Sequence, residues 1–144
     1  RDRSPSRGLG DVYKRQVSLD LMELNQYTGE CHFYKCGASA SYWIRHGQIH
    51  EIAADRQPLG LSSVPSEFDE VLYLESGDTV ILISDGIAEE FYERPELLRA
   101  GMERLKTENP TDLATGILEL AVKAAGAIRD DMTVLVVSLY QEDN

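Results

Sequence analysis

Val80-Ile81-Leu82-Ile83-Ser84-Asp85-Gly86-Ile87 opens with four aliphatic residues and no polar break, the pattern of a strand buried on both faces, and a carboxylate arrives where that strand ends. Ile128-Arg129-Asp130-Asp131-Met132-Thr133-Val134-Leu135-Val136-Val137 has the reverse order, with acid first and strand after. Asp85-Gly86 alone reads as a turn, and Asp130-Asp131 alone as a solvated loop. As neighbouring central strands, the two segments would bring their acidic ends within a few ångströms, and carboxylates so placed repel unless a cation sits between them. Oxygen ligands without a nearby His or Cys cluster favour Mg²⁺ or Mn²⁺ over zinc. His32, His46 and His50 fall on strand or turn positions and show no ligand spacing.

Upstream of Val80 the pattern is β throughout. Val17-Ser18-Leu19-Asp20-Leu21 alternates, Tyr27-Thr28-Gly29-Glu30 is a turn, and Cys31 to Cys36 returns as an antiparallel partner. Gly37-Ala38-Ser39-Ala40 breaks that strand, and Ser41 to Arg45 with Gln48 to Ala53 flank His46-Gly47 as a second hairpin. Pro58-Leu59-Gly60 is a connecting loop, and Ser76-Gly77-Asp78 joins strands over Glu67 to Leu74 and Thr79 to Ser84.

Helix signals follow. Pro95 suits a first helical position, with Leu97, Leu98, Met102 and Leu105 as one apolar face over about three turns. Asn109 caps a second helix with Pro110 at its first position and Asp112 in its first turn. Leu113, Ile117, Leu120, Ala121 and Ala124 form its stripe, and Gly126 ends it. Met132 to Leu139 is the closing strand. Strands followed by two helices and a last strand indicate an α+β fold with helices packed on mostly antiparallel sheet.

The 144 residues fit one domain but are short for two sheets with helices on both faces. Of 14 basic and 25 acidic residues, five and two lie in Arg1 to Gln16, so the acidity is concentrated from Val17 onward. Such a body repels phosphate backbones and anionic lipid, which argues against nucleic acid and direct membrane contact. A phosphoprotein substrate would need bound metal to offset that field. Arg1 to Gln16 lacks any hydrophobic period and reads as a non-native or disordered tail. No run approaches about 20 apolar residues and no signal-peptide centre is present, predicting a cytoplasmic segment. Cys31 and Cys36 sit on opposite faces of one strand, roughly 16 Å apart if extended, and read as reduced structural thiols.

Leu19-Asp20-Leu21, Tyr27-Thr28-Gly29-Glu30, Lys35-Cys36-Gly37-Ala38-Ser39, Pro58-Leu59-Gly60, Gly77-Asp78, Ser84-Asp85-Gly86 and Asp130-Asp131-Met132-Thr133-Val134 occur in the order seen in PPM-type (2C-class) bacterial serine/threonine phosphatases. Within that superfamily the set most resembles the C-terminal phosphatase domains of the stage II sporulation protein E family, over about Val17 to Leu139. The resemblance implies part of an α-β-β-α sandwich in which two Mn²⁺ or Mg²⁺ ions share a water that attacks a phosphoserine phosphorus in line. It assigns Asp85 and Asp130 as metal ligands. Asp131 falls at a position that is often Asn and lies behind the ligands, and Gly86 serves backbone geometry.

The resemblance also implies a missing N-terminal half that carries the metal-bridging Asp. It therefore predicts residues 17–144 to be the C-terminal portion of the domain, with little or no activity alone. Uncovered sheet edges would favour self-association, as a homodimer or an aggregate. The implied substrate is a phosphorylated anti-sigma-factor antagonist. The competing reading is a non-catalytic, partner-binding module of the same fold.

Overall fold

The computed structural model describes residues 18–52, 70–105, 107–127 and 131–142. They form strands β1 (Leu19–Leu24), β2 (Glu30–Cys36), β3 (Ser41–Arg45), β4 (Gln48–Ile52), β5 (Glu70–Tyr73), β6 (Thr79–Ile83) and β7 (Val134–Ser138). Between β6 and β7 come helices α1 (Asp85–Ala88), α2 (Pro95–Leu105) and α3 (Pro110–Ala125), with a 3-10 turn at Glu89–Phe91. Arg1 to Val17, Pro58-Leu59-Gly60 and Asp130 lie outside the described residues.

Two antiparallel sheets face each other, one ordered β1-β2-β5 and the other β4-β3-β6-β7. β6 explains the arrangement. Val80 and Leu82 join Cys31, Phe33, Ile52 and Leu74 between the sheets, whereas Ile81 and Ile83 join Leu98, Met102, Leu113 and Ile117 under the helices. Its uniform apolarity reflects burial on both faces, each such side chain contributing about 1.5–3 kcal/mol. The α+β class agrees with the expectation, and one helical layer of the sandwich is present among the described residues.

The caps of α3 are those the sequence indicates. The Asn109 side chain accepts from the Thr111 and Asp112 N–H groups at 2.9 and 3.1 Å, Pro110 follows, and Gly126 ends the helix with φ 75°. Mid-helix glycine costs about 1 kcal/mol relative to alanine. Here Gly101 of α2 lies under Leu120 and Gly116 of α3 under Leu105, so a Cβ at either position would collide with the facing leucine. The two helices therefore pack closely enough to cover one sheet face together.

Several expectations are corrected. Leu97 is exposed because the inward face of α2 is Leu98, Gly101 and Met102, and Ala124 gives way to Ala125 as the last buried residue of α3. β6 stops at Ile83, and β7 spans only Val134–Ser138. Asp85-Gly86 begins a short helix instead of a turn. Ile87 and Ala88 of that helix, with Phe91 after it, dock into the helix-side core, and their burial favours the helical conformation. Both cysteines are buried and unbridged, with Cys31 facing the inter-sheet core.

Candidate metal centre

Strand ends converge where β6 runs out. One residue past it, the Ser84 N–H donates to the Thr133 carbonyl at 3.0 Å, and the Ser84 hydroxyl accepts from the Thr133 N–H at 2.9 Å. These bonds extend the β6–β7 ladder beyond its last pair, Ile83 with Val134. They bring the segment before β7 alongside Asp85. The Ile87 and Ala88 N–H groups both donate to the Ser84 carbonyl, which fixes the first turn of α1 on the same residue.

Asp85 opens α1 with its side chain exposed, while Gly86 is buried behind it. Asp131 is also exposed. Together with Ser18, Asp20 and Ser39, these residues line a cleft of about 410 Å³ at the end of the sandwich. Asp85 and Asp131 thus line the same cleft, whereas Asp130 lies outside the described residues.

Asp20, Ser39 and Lys35 are site features that sequence reasoning missed. Asp20 reaches the cleft from β1 and pairs with Lys35 Nζ at 2.8 Å. The Ser39 hydroxyl donates to Asp85 Oδ1 at 2.5 Å. A usable signal lay in β2: Cys31, Phe33 and Lys35 share one face, and a charge in an apolar alternation calls for a buried partner. At the rim, burial and then the Asp85 and Glu89 charges push the Tyr92 phenol above its ordinary pKa, while a hydrogen bond with Ser39 opposes them.

The donor chemistry suits a hard divalent cation, since carboxylate and hydroxyl oxygens dominate the cleft. The donor count falls short. Among the described residues, no group of three His, Cys, Asp or Glu is placed to hold an ion. A larger cavity of about 520 Å³ opens at the other end of β6, between the β3–β4 turn and the α2–α3 pair. Its buried carboxylate, Asp78, is already held by Arg45 and offers no comparable site.

A family model described as stage II sporulation protein E (SpoIIE) matches residues 4–140. Stage II sporulation protein E of Bacillus subtilis (strain 168) is 35% identical over 129 residues, covering 85% of this chain and 15% of that protein. The structure of the phosphatase domain of the cell fate determinant SpoIIE from Bacillus subtilis, presoaked in Mn, superposes with a TM-score of 0.72 at 31% identity. That match covers 94% of this chain and 61% of the solved domain. The catalytic domain of the serine threonine protein phosphatase PstP, in complex with two manganese ions, shares the fold with a TM-score of 0.69 at 17% identity, over 94% of this chain and 66% of that one. The chain thus spans about three-fifths of the solved sporulation phosphatase domain and a small part of the full-length relative.

Proposed function

The chain belongs to the stage II sporulation protein E family, and from that membership we propose that residues 17–144 are the C-terminal portion of a metal-dependent protein serine/threonine phosphatase domain. The observation that carries this reading is the cleft beneath the Ser84–Thr133 link, lined both by Asp85, just past the inner strand β6, and by Asp131, just before the edge strand β7.

In this proposal Asp85 and Asp130 hold Mn²⁺ or Mg²⁺. When bound, the ions supply the Lewis acidity that activates water and offset the charge of the phosphoryl group. Ser39 orients the Asp85 carboxylate through its hydrogen bond. Asp131 adds negative charge behind the ligands, and Gly86 keeps the chain compact where α1 begins. With a formal net charge of -11, the protein repels a phosphoryl group until cations occupy the cleft, so substrate binding follows metal binding.

Family membership supports phosphoserine on an anti-sigma-factor antagonist as the substrate, a role in sporulation control and action in the cytoplasm. No helix among the described residues is long and apolar enough to cross a membrane. In this reading the remaining metal ligands come from the part of the domain that this chain does not cover, which the resemblance puts upstream. The chain alone is then inactive.

The test is phosphate release from a phosphoserine peptide, with and without Mn²⁺. It compares the chain alone with the chain extended upstream to the length of the solved domain. Mn²⁺-dependent release by the extended form alone supports the proposal. Absence of release from a folded extended form favours the partner-binding module.

A further inference from the structure

Lys35 is 1% exposed, and its ammonium lies between the two sheets. Burying a charge is costly unless a counter-charge and hydrogen bonds meet it. Across the β1–β2 ladder Asp20 is its direct partner, with Nζ donating to Asp20 Oδ1 at 2.8 Å. The same nitrogen donates to Ser41 Oγ at 2.7 Å, and Ser41 is fully buried.

These partners belong to different sheets. Asp20 is in β1 of the three-stranded sheet, and Ser41 is the first residue of β3 in the four-stranded sheet. Lys35 therefore fastens the two sheets to each other in the interior behind Asp20, which lines the cleft. The loop it straddles, residues 37–40, carries Ser39, whose hydroxyl reaches Asp85. Asp20 lines one side of the cleft and Asp85 another, so the span bridged by Lys35 is also a dimension of the cleft.

We propose that Lys35 is a positioning residue for the cation site: by clamping Asp20 to Ser41 it fixes the loop through which Ser39 orients the Asp85 carboxylate. The proposal rests on the reading of Asp85 as a metal ligand. A purely structural role would be met as well by an apolar residue, since replacing a buried ion pair by well-packed apolar groups is often neutral or stabilising. What an apolar residue does not supply is the directed pair of bonds to the cleft wall and the loop end. A hydrogen bond to a ligating carboxylate, such as the one Ser39 makes to Asp85, is worth roughly 10- to 100-fold in metal affinity, and Lys35 acts on it through the loop.

The test is calorimetric titration of Mn²⁺ into the chain extended to the length of the solved domain, in wild-type form and as Lys35→Met, Lys35→Arg and Ser39→Ala. Thermal unfolding without metal is measured in parallel. Lys35→Met and Ser39→Ala are expected to weaken Mn²⁺ binding by about tenfold or more, with Lys35→Arg recovering part of the loss because it keeps charge and donors. The Mn²⁺ concentration for half-maximal turnover should rise in step while the KM for phosphopeptide stays constant. Should Lys35→Met fail to fold, Ser41→Ala takes its place, because it removes the Nζ bond to the loop end while leaving the Lys35–Asp20 pair. Affinities within twofold of wild type in the folded variants overturn the positioning role and leave the metal reading intact. Absence of Mn²⁺ binding by the wild-type protein overturns the metal reading, and the positioning role with it.

Discussion

The Arg45 guanidinium grips Asp78 through Nη2 at 2.7 Å and through Nε at 3.1 Å to each carboxylate oxygen, while its Cζ lies 4.7 Å from the centre of the Trp43 ring. The Glu75 N–H and Trp43 Nε1 complete the shell around the carboxylate. Asp78 immediately precedes β6 and Asp85 follows it closely, so one strand separates two carboxylates with opposite treatment. Asp78 is 2% exposed and charge-paired, whereas Asp85 is exposed, with a serine hydroxyl as its hydrogen-bond donor. One end of the strand is closed by charge pairing, and the other is open to solvent.

A pH dependence follows at the stable end. Burial alone would raise the Asp78 pKa, but the hydrogen bonds from Arg45, Glu75 and Trp43, together with the Arg45 charge, outweigh it and hold the carboxyl below its usual range. A folded-state pKa below the unfolded one stabilises above the unfolded value of about 3.9, and that stabilisation is lost as pH falls through the folded value. Asp78→Asn is expected to cost about 1–3 kcal/mol at pH 7. The difference from the parent should shrink below about pH 4, as read from urea unfolding at pH 7 and pH 3.

Burial pushes the Cys31 thiol up to about 11, and the side chain is fully shielded. Thiolate is the reactive form, so Cys31 should be inert at neutral pH. Ellman's reagent is expected to label neither Cys31 nor the likewise buried Cys36 in the native state, and both in denaturant. Rapid native labelling would contradict the core assignment.

Gly29 closes the β1–β2 turn with φ 80°, and its carbonyl accepts from the Leu74 N–H at 2.8 Å. A Cβ at this position would run into the Leu74 carbonyl oxygen, a backbone atom. Gly29→Ala should therefore destabilise by on the order of 2–4 kcal/mol through strain and overpacking together. Gly47→Ala, with a positive φ but open space around it, should cost less. Chemical denaturation of the pair separates the two effects.

The outer face of the three-stranded sheet shows Leu19 and Leu21 at 38% and 47% exposure, and β1 and β5 are both edge strands. Open edges beside apolar side chains promote association. The chain alone is expected to sediment with a concentration-dependent increase in mass, and Leu21→Lys should reduce it. A monomer at all concentrations would show that this face needs no cover.

Where sequence neighbours determine the outcome, the residues spoke plainly. The unbroken run Val80 to Ile83 is a strand buried on both sides, and Asn109-Pro110 with Gly126 brackets a helix. The pattern also pointed to strands before Asp85 and after the acids preceding Met132, and β6 and β7 do pair, with β7 at the sheet edge. α1 was hidden because the helical state of Asp85–Ala88 depends on Ile87 and Ala88 reaching a core made by distant segments. Ser39 and Asp85 are 46 positions apart, and Lys35 bridges two sheets whose facing no local period encodes. Such contacts arise from tertiary structure, so periodicity carries no trace of them beyond the anomaly of a lysine among apolar residues.

The central claim is that Asp85 and Asp130 hold the catalytic cations. Its most direct test is Mn²⁺-dependent hydrolysis of a phosphoserine peptide by the upstream-extended chain carrying Asp85→Asn, Asp130→Asn or Asp131→Asn. The account predicts that the first two abolish turnover, by about a hundredfold or more, and raise the Mn²⁺ requirement, while Asp131→Asn has a smaller effect. Full activity in either Asp85→Asn or Asp130→Asn, at unchanged Mn²⁺ dependence, would contradict it.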